Sequence, residues 1–180
     1  TRAIRQGYHA TEQQEHSAAV FLTSSFTFDS AEQAANRFAN EEEGNIYTRF
    51  TNPNVQAFED RLADLEEAES CIATASGMSA IFATLMGLLK AGDHIVASRD
   101  MFGTTIVLLN TIVNKFNIEV TFVDLPDIDS WKSSVQTNTK IFLLETPSNP
   151  LGEVVDLSLL SALSKQCNIL LAVDNCIMTP

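Results

Sequence analysis

Five short, mostly apolar runs constrain this chain more than any other feature: SCIATA (70–75), HIVAS (94–98), IEVTFVD (118–124), KIFLLET (140–146) and ILLAVDN (169–175). Runs of this length, rich in Val, Ile and Leu, suit strands whose two faces are both covered by helices. The longer stretches between them read as helices, over 77–90, 103–116, 127–136 and 156–167. Strand and helix in strict alternation predict an α/β fold with a mostly parallel sheet sandwiched by helices. One more helix precedes the series, in NPNVQAFEDRLADLEEA. There Asn52 is a cap, Pro53 takes the first helical position, and Val55, Phe58, Leu62 and Leu65 form one stripe.

The first fifty residues are different in kind. They carry scattered aromatics (Phe21, Phe26, Phe28), the hydroxyl-rich TSSFTFDS and the acidic run Glu41–Glu43. A short helix is expected over 30–39, with Ser30 as cap and Gln33 completing a capping box. The remainder has too little periodic apolar content to fold alone, and its Phe side chains need another surface. The expected organisation is an extended arm over 1–51 that reaches a neighbouring subunit of a homo-oligomer. Residues 52–180 are then the first part of the α/β domain. The chain stops at Pro180 directly after a buried run, so it is expected to belong to a longer polypeptide.

Composition narrows the classes of partner. Acidic residues outnumber basic ones 23 to 11, a net charge of −12. Such a field repels phosphate backbones and anionic lipid, so neither nucleic acid nor a membrane is an expected partner. The apolar GMSAIFATLMGLL (77–89) is too short to span a bilayer, and TRAIRQGYHATEQQEH has no apolar signal core. Cys71, Cys167 and Cys176 form no CxxC pair, which indicates a reduced, cytoplasmic protein. His9, His16 and His94 lack metal-ligand spacing and read as surface or loop residues, so no metal is expected.

Chemistry-bearing residues follow the apolar runs. Ser76, Gly77 and Met78 open a helix, where backbone N–H groups and the helix dipole can hold an anion; the same residues also make an ordinary capped turn. Phe102 follows HIVAS and can stack on a flat ring or pack in the core. Asn149 lies in ETPSNP, where two prolines stiffen the turn. Asp174 ends ILLAVDN, a place where a carboxylate needs a cationic partner. That partner is either a protein cation or helix end, or a protonated heterocyclic nitrogen. Tyr47 and Arg49, two residues apart in a segment read as extended, point the same way and can share a phosphate. Most of these residues fall at the C-terminal edge of the predicted sheet, where such folds place ligands. A planar, phosphorylated, N-protonated aromatic cofactor fits the set, and pyridoxal 5′-phosphate is one.

The motifs YTRFTNP (47–53), ATASGMSAI (73–81), AGDHIV (91–96), ETPSNP (145–150) and AVDNCIMTP (172–180) resemble the pyridoxal-phosphate enzymes of cysteine and methionine metabolism. The resemblance runs along nearly the whole chain, and TSSFTFDS, GNIYTRFTNP and MFGTT make it greatest toward the acylhomoserine sulfhydrylases of that family. It implies the large domain of a fold-type I transferase and pyridoxal 5′-phosphate as cofactor. It also implies a homo-oligomer, a dimer with shared sites assembled into a tetramer. By resemblance, Tyr47 and Arg49 hold the cofactor phosphate of the neighbouring subunit, and Ser76, Gly77 and Met78 that of their own. Phe102 stacks on the ring, Asp174 pairs with the ring nitrogen, and Asn149 lies near the ring's phenolic oxygen. Glu145 and Thr179 are weaker candidates. The implied reaction is γ-replacement of an amino-acid substrate, O-succinylhomoserine, with sulfide to give homocysteine.

Two departures bear on that reading. The family's cofactor-anchoring lysine lies in a Ser/Thr-rich motif that would follow Pro180, so the 180 residues alone are expected to be inactive. Most members also have Tyr where this chain has Phe102.

Overall fold

The computed structural model describes residues 2–178, which divide into two compact units, residues 2–73 and 74–178.

The first unit holds three helices, α1 (Arg2–Arg5), α2 (Ala31–Phe38) and α3 (Pro53–Leu65). The capping of α2 follows the sequence: Ser30 Oγ accepts the Gln33 N–H at 3.0 Å, and Gln33 Oε1 accepts the Asp29 N–H at 2.9 Å. Asn52 caps α3, its side chain accepting the Asn54 N–H at 2.9 Å. Helix α1 gives no apolar periodicity to read. It is fastened to α3 by polar contacts, Arg2 Nε to Asp64 at 3.4 Å and Arg61 Nε to the Gln6 carbonyl at 2.9 Å. Among its described residues only Asn52 and Ala63 are buried.

The second unit is the α/β layer structure. Helix α4 (Gly77–Leu88) precedes β1 (His94–Ser98), α5 (Gly103–Val107), β2 (Glu119–Val123), α6 (Ile128–Ser133), β3 (Thr139–Glu145), α7 (Leu157–Cys167) and β4 (Leu170–Asp174). The strands pair in the order β2-β1-β3-β4, and every pairing is parallel. Two apolar clusters fill the faces of the sheet. On one side Leu85 and Leu109 pack with Ile95, Ala97, Ile141 and Leu143. On the other, Trp131 and Leu160 pack with Val96, Phe142 and Leu144. Alternate residues of β1 and β3 therefore serve opposite layers, which is why those strands read as unbroken apolar runs.

Four expectations are corrected. SCIATA forms no strand: Ile72 is exposed, and the Ala73 N–H is bonded to Glu59 Oε1 at 2.7 Å rather than to a neighbouring strand. The helix expected over 103–116 is α-helical only to Val107. It continues as a wider π turn over Leu108–Ile112 and a 3₁₀ turn over Val113–Phe116. The Thr111 hydroxyl takes the Val107 carbonyl at 2.6 Å, offering it a partner outside the regular ladder. The helix expected over 127–136 is the shorter α6, capped by Asp127 through the Ser130 N–H at 3.2 Å. His94 is neither in a loop nor at the surface; it is fully buried as the first residue of β1. Its Nδ1 and Nε2 each lie 2.8 Å from a hydroxyl, those of Thr139 and Thr121.

Candidate cofactor cleft

A cleft of about 540 Å³ opens in the second unit, lined by α4, the start of α5 and the ends of β3 and β4. It brings together Ser76, Gly77, Met78, Phe102, Asn149 and Asp174, six of the eight residues expected from sequence. Parallel strands end on one edge, and the chain leaving each must turn there, so residues remote in sequence share that edge.

The N-terminus of α4 has a specific set of spare donors. Ser76 Oγ accepts the Ser79 N–H at 3.2 Å, and the Ser76 carbonyl accepts the Ala80 N–H at 3.0 Å. Gly77 and Met78 are the first two helical residues, so their N–H groups have no acceptor within the helix. A Cβ built on Gly77 meets no atom within 4 Å, which leaves that side open for an anion.

The opposite wall is acidic. Glu145 and Asp174 stand in register at the ends of β3 and β4, and both line the cleft. Asp174 Oδ1 accepts the Cys176 N–H at 3.1 Å. Glu145 is 1% exposed, and its Oε2 accepts the Phe102 N–H at 2.6 Å. Its Oε1 is buried without a partner among the described residues. Burial pushes the Glu145 carboxyl above the usual carboxylate range, the Phe102 N–H opposes this, and the Asp174 charge adds to the rise. Burial, then Asp174, likewise raises the Cys176 thiol. Among the described residues no Lys, Arg or His lines the cleft, so its carboxylates face space suited to a cation.

Phe102 lines the cleft wall and is 46% exposed as a residue, available for stacking rather than spent in the core. The turn after β3 is pinned by Ser148, whose N–H donates to the Glu153 carbonyl at 2.9 Å while its Oγ accepts the Glu153 N–H at 3.1 Å. Asn149 is thereby presented at the surface. An anion cradle, a free aromatic face and an acidic wall in one cleft fit pyridoxal 5′-phosphate.

Tyr47 and Arg49 belong to the first unit and are not among the lining residues. Their segment is not extended as expected. Residues 48–50 form a turn, with the Phe50 and Thr51 N–H groups on the Tyr47 carbonyl at 2.8 and 3.1 Å. The turn folds Arg49 back over the Tyr47 ring, 4.9 Å from its centre. Thr179 lies outside the described residues.

Glu145, a weaker candidate in the sequence, lines the cleft as well. Its signal was present: an ionisable residue directly after the four apolar residues of IFLL in the strand that proves central.

The sequence matches the profile of the Cys/Met metabolism PLP-dependent enzymes over residues 1–180. The chain belongs to that family. It is 48% identical over 180 residues to an O-succinylhomoserine sulfhydrylase of Pseudomonas aeruginosa, covering all of this chain and 45% of that protein. It is also 48% identical over 162 residues to an L-methionine gamma-lyase of Fusobacterium nucleatum subsp. polymorphum, covering 89% of this chain and 41% of the relative. The fold matches a Campylobacter jejuni protein assigned as an O-acetylhomoserine (thiol)-lyase, with a TM-score of 0.92 and 32% identity. That match covers 97% of this chain and 43% of the other, whose structure carries N′-pyridoxyl-lysine-5′-monophosphate. The chain therefore spans less than half the length of these relatives. The family is pyridoxal-phosphate-dependent, and the parallel sheet with its helices is the fold-type I architecture. No helix among the described residues is long and apolar enough to cross a membrane.

Proposed function

We propose that this protein carries out γ-replacement on an O-acylhomoserine, with O-succinylhomoserine preferred, using sulfide to give homocysteine and the free acid. The observation that carries the choice is Phe102, an exposed ring on the cleft wall with no hydroxyl. Most family members have Tyr there, and its hydroxyl can assist departure of a poor leaving group or deprotonation of a nucleophile. Sulfide is small and substantially ionised near neutral pH, and a carboxylate is a fair leaving group. A sulfhydrylase therefore tolerates loss of that hydroxyl best. The likeness to the Pseudomonas aeruginosa sulfhydrylase along the whole chain supports the same reading.

In this reading Gly77 and Met78 donate their N–H groups to the cofactor phosphate, with Ser76 holding the helix end in shape. Phe102 fixes the plane of the ring, and Asn149 orients its phenolic oxygen. Asp174 holds the proton on the ring nitrogen. When bound, the protonated ring withdraws electrons from substrate Cα and Cβ, which is what permits loss of a γ-substituent. Residues 1–51 serve as an arm that reaches a neighbouring subunit, where Tyr47 and Arg49 hold its cofactor phosphate. The domain that begins at residue 52 continues beyond residue 180, the assembly is a tetramer built from two such pairs, and the enzyme is cytoplasmic.

A second reading, methionine γ-lyase, is favoured by the equal identity to the Fusobacterium enzyme. Assay of the natural full gene product decides between them. O-Succinylhomoserine and O-acetylhomoserine are each tested with sulfide and with cysteine, and methionine is tested alone. Homocysteine from the succinyl ester and sulfide is expected. Preference for cysteine shifts the assignment to a cystathionine-forming enzyme, and activity only on methionine shifts it to a lyase.

A further inference from the structure

We propose that Glu145 is a positioning residue for the cofactor ring, its buried carboxyl holding the segment that carries Phe102 in place beside Asp174. The inference rests on the reading of this cleft as the pyridoxal-phosphate site.

Three strand ends meet at this carboxyl. Glu145 closes β3 and stands in register with Asp174 on β4, so the two side chains share one face of the sheet. Its Oε2 reaches across to the chain leaving β1 and accepts the Phe102 N–H at 2.6 Å, a bond between residues 43 positions apart. Phe102 caps α5 without any side-chain hydrogen bond of its own, so this bond to Glu145 holds its N–H. Phe102, Asn149 and Asp174 are the residues assigned to the ring rather than to the phosphate.

A strut that served only the fold would have both oxygens satisfied or exposed. Here the residue is 1% exposed, and Oε1 is buried with no partner among the described residues while the side chain lines the cleft. Buried polar atoms left unsatisfied are rare and mark function or a missing partner. The acceptor that fixes Phe102 is needed for the ring to lie in one plane. The second oxygen keeps the wall polar beside Asp174.

Glutamine preserves the volume and one acceptor oxygen, whereas methionine fills the same space with no strong acceptor. The test uses the natural full gene product and its Glu145→Gln and Glu145→Met variants, with Glu145→Leu in place of Met should the latter not fold. Two readouts are taken on folded protein: the dissociation constant for pyridoxal 5′-phosphate, and the visible circular dichroism per bound cofactor, which reports ring orientation. The expectation is that Gln stays within about threefold of wild type with the same dichroism. Met should weaken binding about tenfold or more and alter the dichroic band, equivalent to losing one charge-assisted bond. Unchanged binding and dichroism in the Met variant overturn the proposal, as does a Gln variant as impaired as Met. Asp174→Asn, run alongside, separates the two levels. If it weakens binding while Glu145→Met does not, only the role of Glu145 fails. If wild type binds no cofactor, the reading of the cleft fails and takes this inference with it.

Discussion

Replacing Gly77 by alanine separates the needs of the fold from those of the ligand. In the protein alone the new methyl meets nothing within 4 Å, so packing does not resist it. Gly77 is the first residue of α4, and alanine there restricts the unfolded chain more than glycine does. A stabilisation of about 0.4–1 kcal/mol follows, or a rise of about 1–4 °C in the melting temperature of the cofactor-free protein. The ligand experiences the opposite effect. The methyl occupies the open side from which an anion would approach the spare N–H groups of Gly77 and Met78. Losing one charge-assisted bond of about 1.5–3 kcal/mol weakens pyridoxal-phosphate binding about 10- to 150-fold. Thermal melting without cofactor and an absorbance titration with it give both numbers from one preparation. An unchanged dissociation constant would remove the phosphate from this helix end. A lowered melting temperature would show that the space beside Gly77 is not open.

Asp174→Asn should leave melting nearly unchanged, because an amide oxygen can still accept the Cys176 N–H, yet lower kcat by about 100-fold or more as the charge is lost; near-normal turnover would reduce Asp174 to a structural role. Arg49→Ala should weaken cofactor retention by about 1.5–3 kcal/mol in the full gene product, read by equilibrium dialysis, and a strictly monomeric form that binds and turns over normally would refute the shared site. Burial holds the His94 ring below the usual histidine range, Glu119 opposing. The native state then binds fewer protons than the unfolded state. Its contribution to stability is present above the unfolded value of about 6.5 and is lost as pH falls through the depressed native one. Melting curves from pH 8 to 5 should fall less steeply for His94→Asn than for wild type. Trp131→Ala should cost about 3–5 kcal/mol, since the ring is fully buried edge-on to Phe142 and donates to the Leu125 carbonyl at 3.1 Å; chemical denaturation measures it.

What the sequence made legible was whatever depended on burial pattern and local capping. β1 matches HIVAS residue for residue because all five positions are buried. The starts of α2, α3 and α4 follow from Ser30, Asn52 and Ser76, whose side chains cap them within three residues. Illegible features depended on partners distant in sequence. SCIATA has strand-like residues, but whether a run pairs is decided by a neighbour, and its Ala73 N–H went to Glu59 instead. The turn at 48–50 is stabilised by a cation over an aromatic ring, an interaction without periodicity. Histidine in a strand gave no sign that two threonine hydroxyls, 27 and 45 residues away, would enclose it. Of the cleft residues, Phe102, Asn149 and Asp174 were readable because they fall at or soon after strand ends, and Ser76, Gly77 and Met78 because they open a capped helix. The bond from Glu145 to Phe102 spans two such ends, so its partner could not be read from either run alone.

Among the described residues β2 and β4 are the outer strands of the sheet, and the two differ in character. β2 begins with an exposed Glu119, while β4, LLAVD, places its only charge at its last residue and leaves Leu170 53% exposed. An apolar strand with free N–H and C=O groups along one side is a template for any second strand it meets. Such an edge calls for a cover, and a second strand or a helix laid along Leu170 would hide it.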